Sequence, residues 1–195
     1  MLRVDLGRMG PPRPRETSAA LAAMEALEAG AVANPSEGRQ VGHYWLRSRA
    51  HHGSQIEAMH RAVDAIDSEG FTDFLLCGIG GSALGPQLLA DALPIPGLRP
   101  HFLDNTDPVG LARSLDAVDP SRCLVLVFSK SGGTRETRNS LAEVLARGVD
   151  MGRQGIAVTV PGSTLHEQAA DWRARIPIWD WVGGRTSITD RKSVV

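Results

Sequence analysis

Five short apolar runs recur between residues 70 and 182, and a helix-like stretch separates each from the next. They are Phe74-Leu75-Leu76-Cys77, His101-Phe102-Leu103, Cys123-Leu124-Val125-Leu126-Val127-Phe128, Ile156-Ala157-Val158-Thr159-Val160 and Ile176-Pro177-Ile178-Trp179-Asp180-Trp181. Continuous apolar runs, rather than an alternation of apolar and polar residues, mark strands covered on both faces. Such strands alternating with helices of about 10–15 residues form right-handed βαβ units and a parallel sheet. The chain therefore reads as a doubly wound α/β domain of five parallel strands behind a helical N-terminal segment. Ligands of such sheets bind outside the carboxyl ends of the strands. The loops that follow the strands are the places to look for chemistry.

Local signals place the helices. One is expected from about Thr17 to Glu28, with Leu21, Met24 and Leu27 on one side and Gly30 as its stop, behind a loose leader over 1–15. Asn34-Pro35-Ser36-Glu37-Gly38 is a turn cluster. A second helix begins at Ser54, where Glu57 completes a capping box, and carries Ile56, Met59, Val63 and Ile66 on one face to Gly70. Further helices are expected over 82–92, from Thr106-Asp107-Pro108 onward with Leu111, Ala112 and Leu115 inward, from about Thr134 to Arg147, and near 164–174. In domain terms, residues 1–69 form a leader and helices, and 70–187 form the α/β domain.

Composition narrows the function classes. The 195 residues carry a net charge of −1, with 42% apolar and 22% charged residues, ordinary for a soluble globular protein. There is no basic excess to favour a nucleic acid or an anionic membrane surface. No stretch approaches the ~20 apolar residues of a membrane span, and the N-terminus has no signal-peptide core, so a cytoplasmic protein is expected. Cys77 and Cys123 each lie in an apolar run and are expected to be free core thiols. No His, Cys, Asp or Glu spacing resembles a metal site. Of 21 basic residues only Lys130 and Lys192 are lysines. Lys130 lies inside a glycine-rich turn.

Three loops carry the chemistry. Gly78-Ile79-Gly80-Gly81-Ser82-Ala83-Leu84-Gly85-Pro86 follows the first run. Its glycines let the backbone approach a ligand, and the helix behind offers unpaired N–H groups to an anion. Gly78-x-Gly80-x-x-Ala83 with Asp104 after the second run also fits the weak dinucleotide fingerprint. Ser129-Lys130-Ser131-Gly132-Gly133-Thr134-Arg135-Glu136-Thr137 follows the strongest run and puts four hydroxyls into nine residues. Short donors, free backbone and a helix N-terminus suit a phosphomonoester, and the order is not that of a Walker A loop. Trp181-Val182-Gly183-Gly184-Arg185-Thr186-Ser187 follows the last run, where a guanidinium could stabilise developing negative charge. The plain alternatives are a tight strand-to-helix turn, a serine and threonine helix cap, and a surface arginine.

Together these loops resemble the glucose-6-phosphate isomerase family. Residues 78–86 resemble its GIGGS-x-LGP segment, 129–137 its SK-x-GGT-x-ET phosphate loop, and 180–187 its D-x-VGGR-x-S signature. Residues 34–47 resemble the segment preceding the sugar isomerase (SIS) domain. The resemblance spans about residues 30–187 and implies a flavodoxin-like SIS domain and no cofactor. It implies that Gly80, Gly81 and Ser82 contact substrate, that Ser129, Lys130, Ser131, Gly132, Gly133 and Thr134 bind the 6-phosphate, and that Arg185 is catalytic. The family interconverts glucose 6-phosphate and fructose 6-phosphate through a cis-enediolate, which Arg185 would stabilise. The family's enzyme is a homodimer with a second SIS domain.

After Ser187 the resemblance stops, and 188–195 reads as an aberrant tail. The resemblance puts the family's catalytic glutamate, ring-opening histidine and C-terminal lysine beyond it. The expectation is an N-terminal piece with sugar-phosphate loops, little isomerase activity by itself, and an exposed dimer and domain interface. Two other functions compete: a non-catalytic SIS module that binds a phosphosugar, and an NAD-binding oxidoreductase resting on the first loop and Asp104.

Overall fold

The computed structural model describes residues 14–28, 32–34, 39–40, 60, 66, 69–93 and 97–178. The chain divides into two compact units, 1–48 and 49–195. In the first, helix α1 spans Pro14–Glu28, and strands β1 (Val32–Asn34) and β2 (Arg39–Gln40) pair antiparallel. The helix starts three residues before Thr17, because proline is well suited to a first helical position. Leu21, expected on its inward side, is 56% exposed. The antiparallel pair on either side of the turn cluster has no apolar alternation to announce it.

In the second unit, β3 (Asp73–Cys77) leads through a 3₁₀ turn (Gly80–Ser82) to α2 (Leu84–Ala92) and β4 (Arg99–Leu103). Helix α3 (Pro108–Asp116), β5 (Cys123–Phe128) and α4 (Arg135–Ala146) follow. A short α5 (Met151–Gln154), β6 (Gly155–Thr159), α6 (Thr164–Gln168) and β7 (Ala174–Pro177) complete it. The five strands form one all-parallel sheet in the order β4-β3-β5-β6-β7. That is the flavodoxin-like arrangement, with its switch point between β3 and β5.

Both faces of the sheet are covered. Along β5, Cys123, Val125 and Val127 join Leu111, Leu115, Leu141 and Val144 in one cluster, while Leu124, Leu126 and Phe128 join Phe74, Leu76 and Val158 in another. Alternate side chains of a strand point to opposite faces, so two apolar faces need a continuous apolar run. Ile66 packs against the second cluster, on the face assigned to the Ser54 helix. Most of that helix lies outside the described residues.

Three boundaries differ from the sequence reading. Strand β4 begins at Arg99, and β7 runs over 174–177, earlier than 176–181. Among the described residues each lies at the end of the strand order and contains a proline, Pro100 and Pro177, which edge strands tolerate. The helix expected near 164–174 has only five residues. Its end tightens into turns as Ala170 N and Trp172 N bond to Glu167 O and Ala169 O, and Arg173 N is drawn to Met151 O.

The amino-terminal edge of the sheet is held by charged groups. Asp73 is fully buried and accepts hydrogen bonds from Arg99 (2.9 Å) and Thr72 (2.8 Å), with His101 Nε2 at 2.9 Å. Burial alone would push this carboxyl up. Bonds from Arg99, His101 and Thr72 outweigh it and hold the group below its ordinary value. Arg173 binds Glu69 through two nitrogens, at 2.7 and 2.8 Å. Arg153 and Arg173 also lie over the Phe71 ring, 5.3 and 5.8 Å from its centroid. Arg147, at the end of α4, pairs with Asp116 of α3 at 2.8 Å.

Cys77 and Cys123 are free and buried. Cys77 faces Val127 across the ladder, and Cys123 faces Asp73, so four strand positions separate the thiols. At a rise of about 3.3 Å per residue that is beyond disulfide reach.

Candidate functional site

The topology places two of the three loops side by side. Strands β3 and β5 are neighbours in register, and both end at the same edge. The turn that follows β3 and the loop over 129–134 therefore leave from the switch point, where an open sheet leaves room for a ligand. Arg185, and the rest of the third loop, lie outside the described residues.

The first loop is wound tightly. Gly80 has φ +59, a conformation that disfavours side chains. Ser82 N and Ala83 N donate to Ile79 O (3.2 Å) and Gly80 O (3.0 Å). Two amides that a dinucleotide loop would offer to a pyrophosphate are thus engaged internally, and Pro86 removes another donor from the first turn of α2. Gly80 is exposed, and Gly81 and Ser82 are half-buried. Asp104, the acid of the dinucleotide reading, accepts from Gln87 Nε2 at 2.7 Å and from Asn105 Nδ2 at 3.0 Å.

The second loop is shaped from within by its own hydroxyls. Ser129 is buried, and its Oγ accepts from Gly132 N at 3.0 Å and lies 3.4 Å from Thr134 Oγ1. Ser131 Oγ accepts from Gly133 N at 3.1 Å. Gly132 has φ +74, and a Cβ there would lie 2.9 Å from the Leu165 Cα, so only glycine fits. Thr134 is the N-cap of α4, yet its side chain caps no amide. The first turn of that twelve-residue helix thus keeps its positive end for another acceptor. Lys130 is half-buried, whereas Ser131 and Gly133 are exposed. Thr137, the fourth hydroxyl of the segment, is instead turned inward; it is 3% exposed and its oxygen has no hydrogen-bond partner.

The arrangement can receive a small dianion. It offers short hydroxyls and an uncapped helix N-terminus with little bulk, while the Gly132 and Gly133 amides are already bonded to Ser129 and Ser131 Oγ. Sequence reasoning missed the parts behind the loop. Lys130 O accepts from Thr159 Oγ1 (3.1 Å) and from Val160 N (3.2 Å), and Ser129 N donates to Val158 O (3.2 Å). The signal that could have found them is Pro161-Gly162-Ser163, a turn cluster directly after the fourth apolar run. Among the described residues, no group of three or more His, Cys, Asp or Glu could hold a metal ion, and no helix is long and apolar enough to cross a membrane.

The family model described as phosphoglucose isomerase matches residues 15–192. A glucose-6-phosphate isomerase from Rippkaea orientalis is 47% identical, over 84% of this chain and 36% of its own length. One from Geobacter sulfurreducens is 46% identical, over 86% and 37%. The chain thus spans a little over a third of the length of these curated relatives. The crystal structure of a glucose-6-phosphate isomerase from Chlamydia trachomatis superposes with TM-score 0.76 at 26% identity, covering 88% of this chain and 38% of that one.

Proposed function

Because the chain belongs to the phosphoglucose isomerase family, we propose that its two switch-point loops bind a phosphorylated hexose and serve the interconversion of glucose 6-phosphate and fructose 6-phosphate. The observation that carries the reading is the 129–134 loop, seated on the uncapped first turn of α4 beside the glycine turn of β3. The phosphomonoester sits over the amino end of α4. Ser131 and Thr134 supply hydroxyls, and Lys130 supplies positive charge. Ser129, Gly132 and Gly133 set the shape of the loop. Gly80, Gly81 and Ser82 face the sugar, where the absence of side chains on the glycines allows close approach.

The reaction moves one proton between C2 and C1 and passes through a cis-enediolate. Arg185, by its place in the family's VGGR motif, stabilises that charge. Oxidation at one carbon balances reduction at the next, so no cofactor is required. The groups carried over here bind and stabilise, and none of them is the base. Binding is therefore the activity these loops support directly. The work is cytoplasmic, because a charged phosphoester does not cross a bilayer unaided.

A calorimetric titration of the chain with fructose 6-phosphate tests the reading, with NAD as counter-ligand. Saturable binding, weakened about ten-fold by Thr134→Val, is expected for the loss of one hydrogen bond to a charged group. A folded chain that binds NAD, or that does not bind the sugar phosphate, would overturn it.

A further inference from the structure

We propose that Thr159, backed by Ser163, is a positioning residue for the 129–134 loop: it fixes the Lys130 carbonyl and so aims the loop's donors at a phosphate. The proposal rests on reading that loop as a phosphate site. Thr159 ends β6 and is 1% exposed. Ile156, Ala157 and Val158 before it are all apolar, and a valine would fill the same space. A buried hydroxyl without a partner is costly, so its presence there calls for a bond.

That bond runs to the loop. Thr159 Oγ1 donates to Lys130 O at 3.1 Å, and Val160 N donates to the same oxygen at 3.2 Å. Both lone pairs of the carbonyl are thereby used. A threonine hydroxyl has one proton. With that proton on Lys130 O, the 2.7 Å contact between Thr159 Oγ1 and Ser163 Oγ has Ser163 as its donor. Ser163 Oγ in turn accepts from His166 N at 3.1 Å. The donors form one directed chain, from His166 N through Ser163 and Thr159 to Lys130 O, in which each bond polarises the next.

The consequence follows from peptide geometry. A trans peptide sets its N–H opposite its C=O. With Lys130 O held against β6, the Ser131 N–H is directed away from β6. The same side grips the loop at two further points, Ser129 N on Val158 O and Gly132 against Leu165. Thr159 thus touches no ligand itself and acts through the backbone of Lys130.

The test compares Thr159→Val with Thr159→Ser in the whole chain. It measures calorimetric affinity for fructose 6-phosphate and for inorganic phosphate, the amide resonances of Ser131 and Gly132, and urea unfolding. Thr159→Val is expected to weaken both ligands about five- to ten-fold and to shift those two amides. Thr159→Ser is expected to restore affinity to within about two-fold, a rescue that a packing role would not produce, since serine fills the site less well than valine. Wild-type affinity in a folded Thr159→Val chain would overturn the proposal alone. A wild-type chain that binds no phosphate ester would overturn the loop reading, and this proposal with it. Where Thr159→Val does not fold, Ser163→Ala decides: weakening of about three-fold supports the directed chain, and unchanged affinity refutes it.

Discussion

At the amino-terminal edge of the sheet, charged side chains pair with one another; around the 129–134 loop at the carboxyl-terminal edge, neutral hydroxyls hold the backbone. Asp73 pairs with Arg99 and Glu69 with Arg173, His101 Nε2 lies 2.9 Å from Asp73, and two arginines cover Phe71. Ser129, Ser131, Thr159 and Ser163 are neutral and bond to amides, to a carbonyl or to one another. The difference follows from how a doubly wound fold orients its helices. Helices antiparallel to the strands bring their negative ends to the first edge, where arginine is favoured, and their positive ends to the second. An anion is welcome where that positive end is not already met by a carboxylate, as at α4, whereas Asp107 caps α3. The comparison teaches that stability and binding are assigned to opposite ends of the same strands.

Substitutions at each edge can break that assignment. The largest effect is expected from Asp73→Asn, which leaves His101 and Arg99 without their buried anion. A loss of about 2–3 kcal/mol in urea unfolding is expected, below the figure for a wholly buried pair because Arg99 is 68% exposed. Affinity for fructose 6-phosphate should stay within about two-fold. A large loss of affinity would show that the two edges are coupled. The same carboxyl sets an acid limb. Its folded pKa lies below the ordinary 3.8, so its contribution is complete above that value and disappears as pH falls through the folded one. Acid titration of stability should steepen below about pH 4 in the wild type and be flatter in Asp73→Asn.

Gly132→Ala comes next and should do the reverse. Forcing alanine into a left-handed conformation costs about 1–2 kcal/mol. The collision with Leu165 displaces the loop as well, so sugar-phosphate binding should vanish from calorimetry while the sheet stays folded. Phe71→Leu removes a ring that is 7% exposed beneath two guanidinium groups, for about 1 kcal/mol and no change in affinity. The smallest effect is a null result. Burial pushes both thiols up to about 12, so neither Cys77 nor Cys123 should react with a thiol reagent at neutral pH until urea unfolds the chain.

What could be read in advance was what depends on neighbours in sequence. Cys123–Phe128 was legible to the residue, because a strand buried on both faces has no polar position to blur its ends. The α3 start was legible because its cap is local, with Asp107 accepting from Gly110 N at 2.7 Å and Pro108 behind it. Asp73 was not, since Arg99 and His101 lie 26 and 28 residues away and meet it only when β4 pairs with β3. At the candidate site the hydroxyls and glycines of 129–134 were legible as a set. Their division of labour was not. That Ser129 turns inward, and that Thr159 reaches Lys130 across 29 residues, are consequences of tertiary geometry.

The strand order also constrains the moment at which this domain can form. Among the described residues, Asp73–Cys77 pairs only with strands made after it, and its second neighbour ends at Phe128. A ribosome adding about 5–20 residues per second needs roughly 3–10 seconds between the two. During that interval the middle of the future sheet is an apolar strand with at least one bare edge, the state most open to mispairing with another nascent chain. Slower translation between those codons lengthens that exposure.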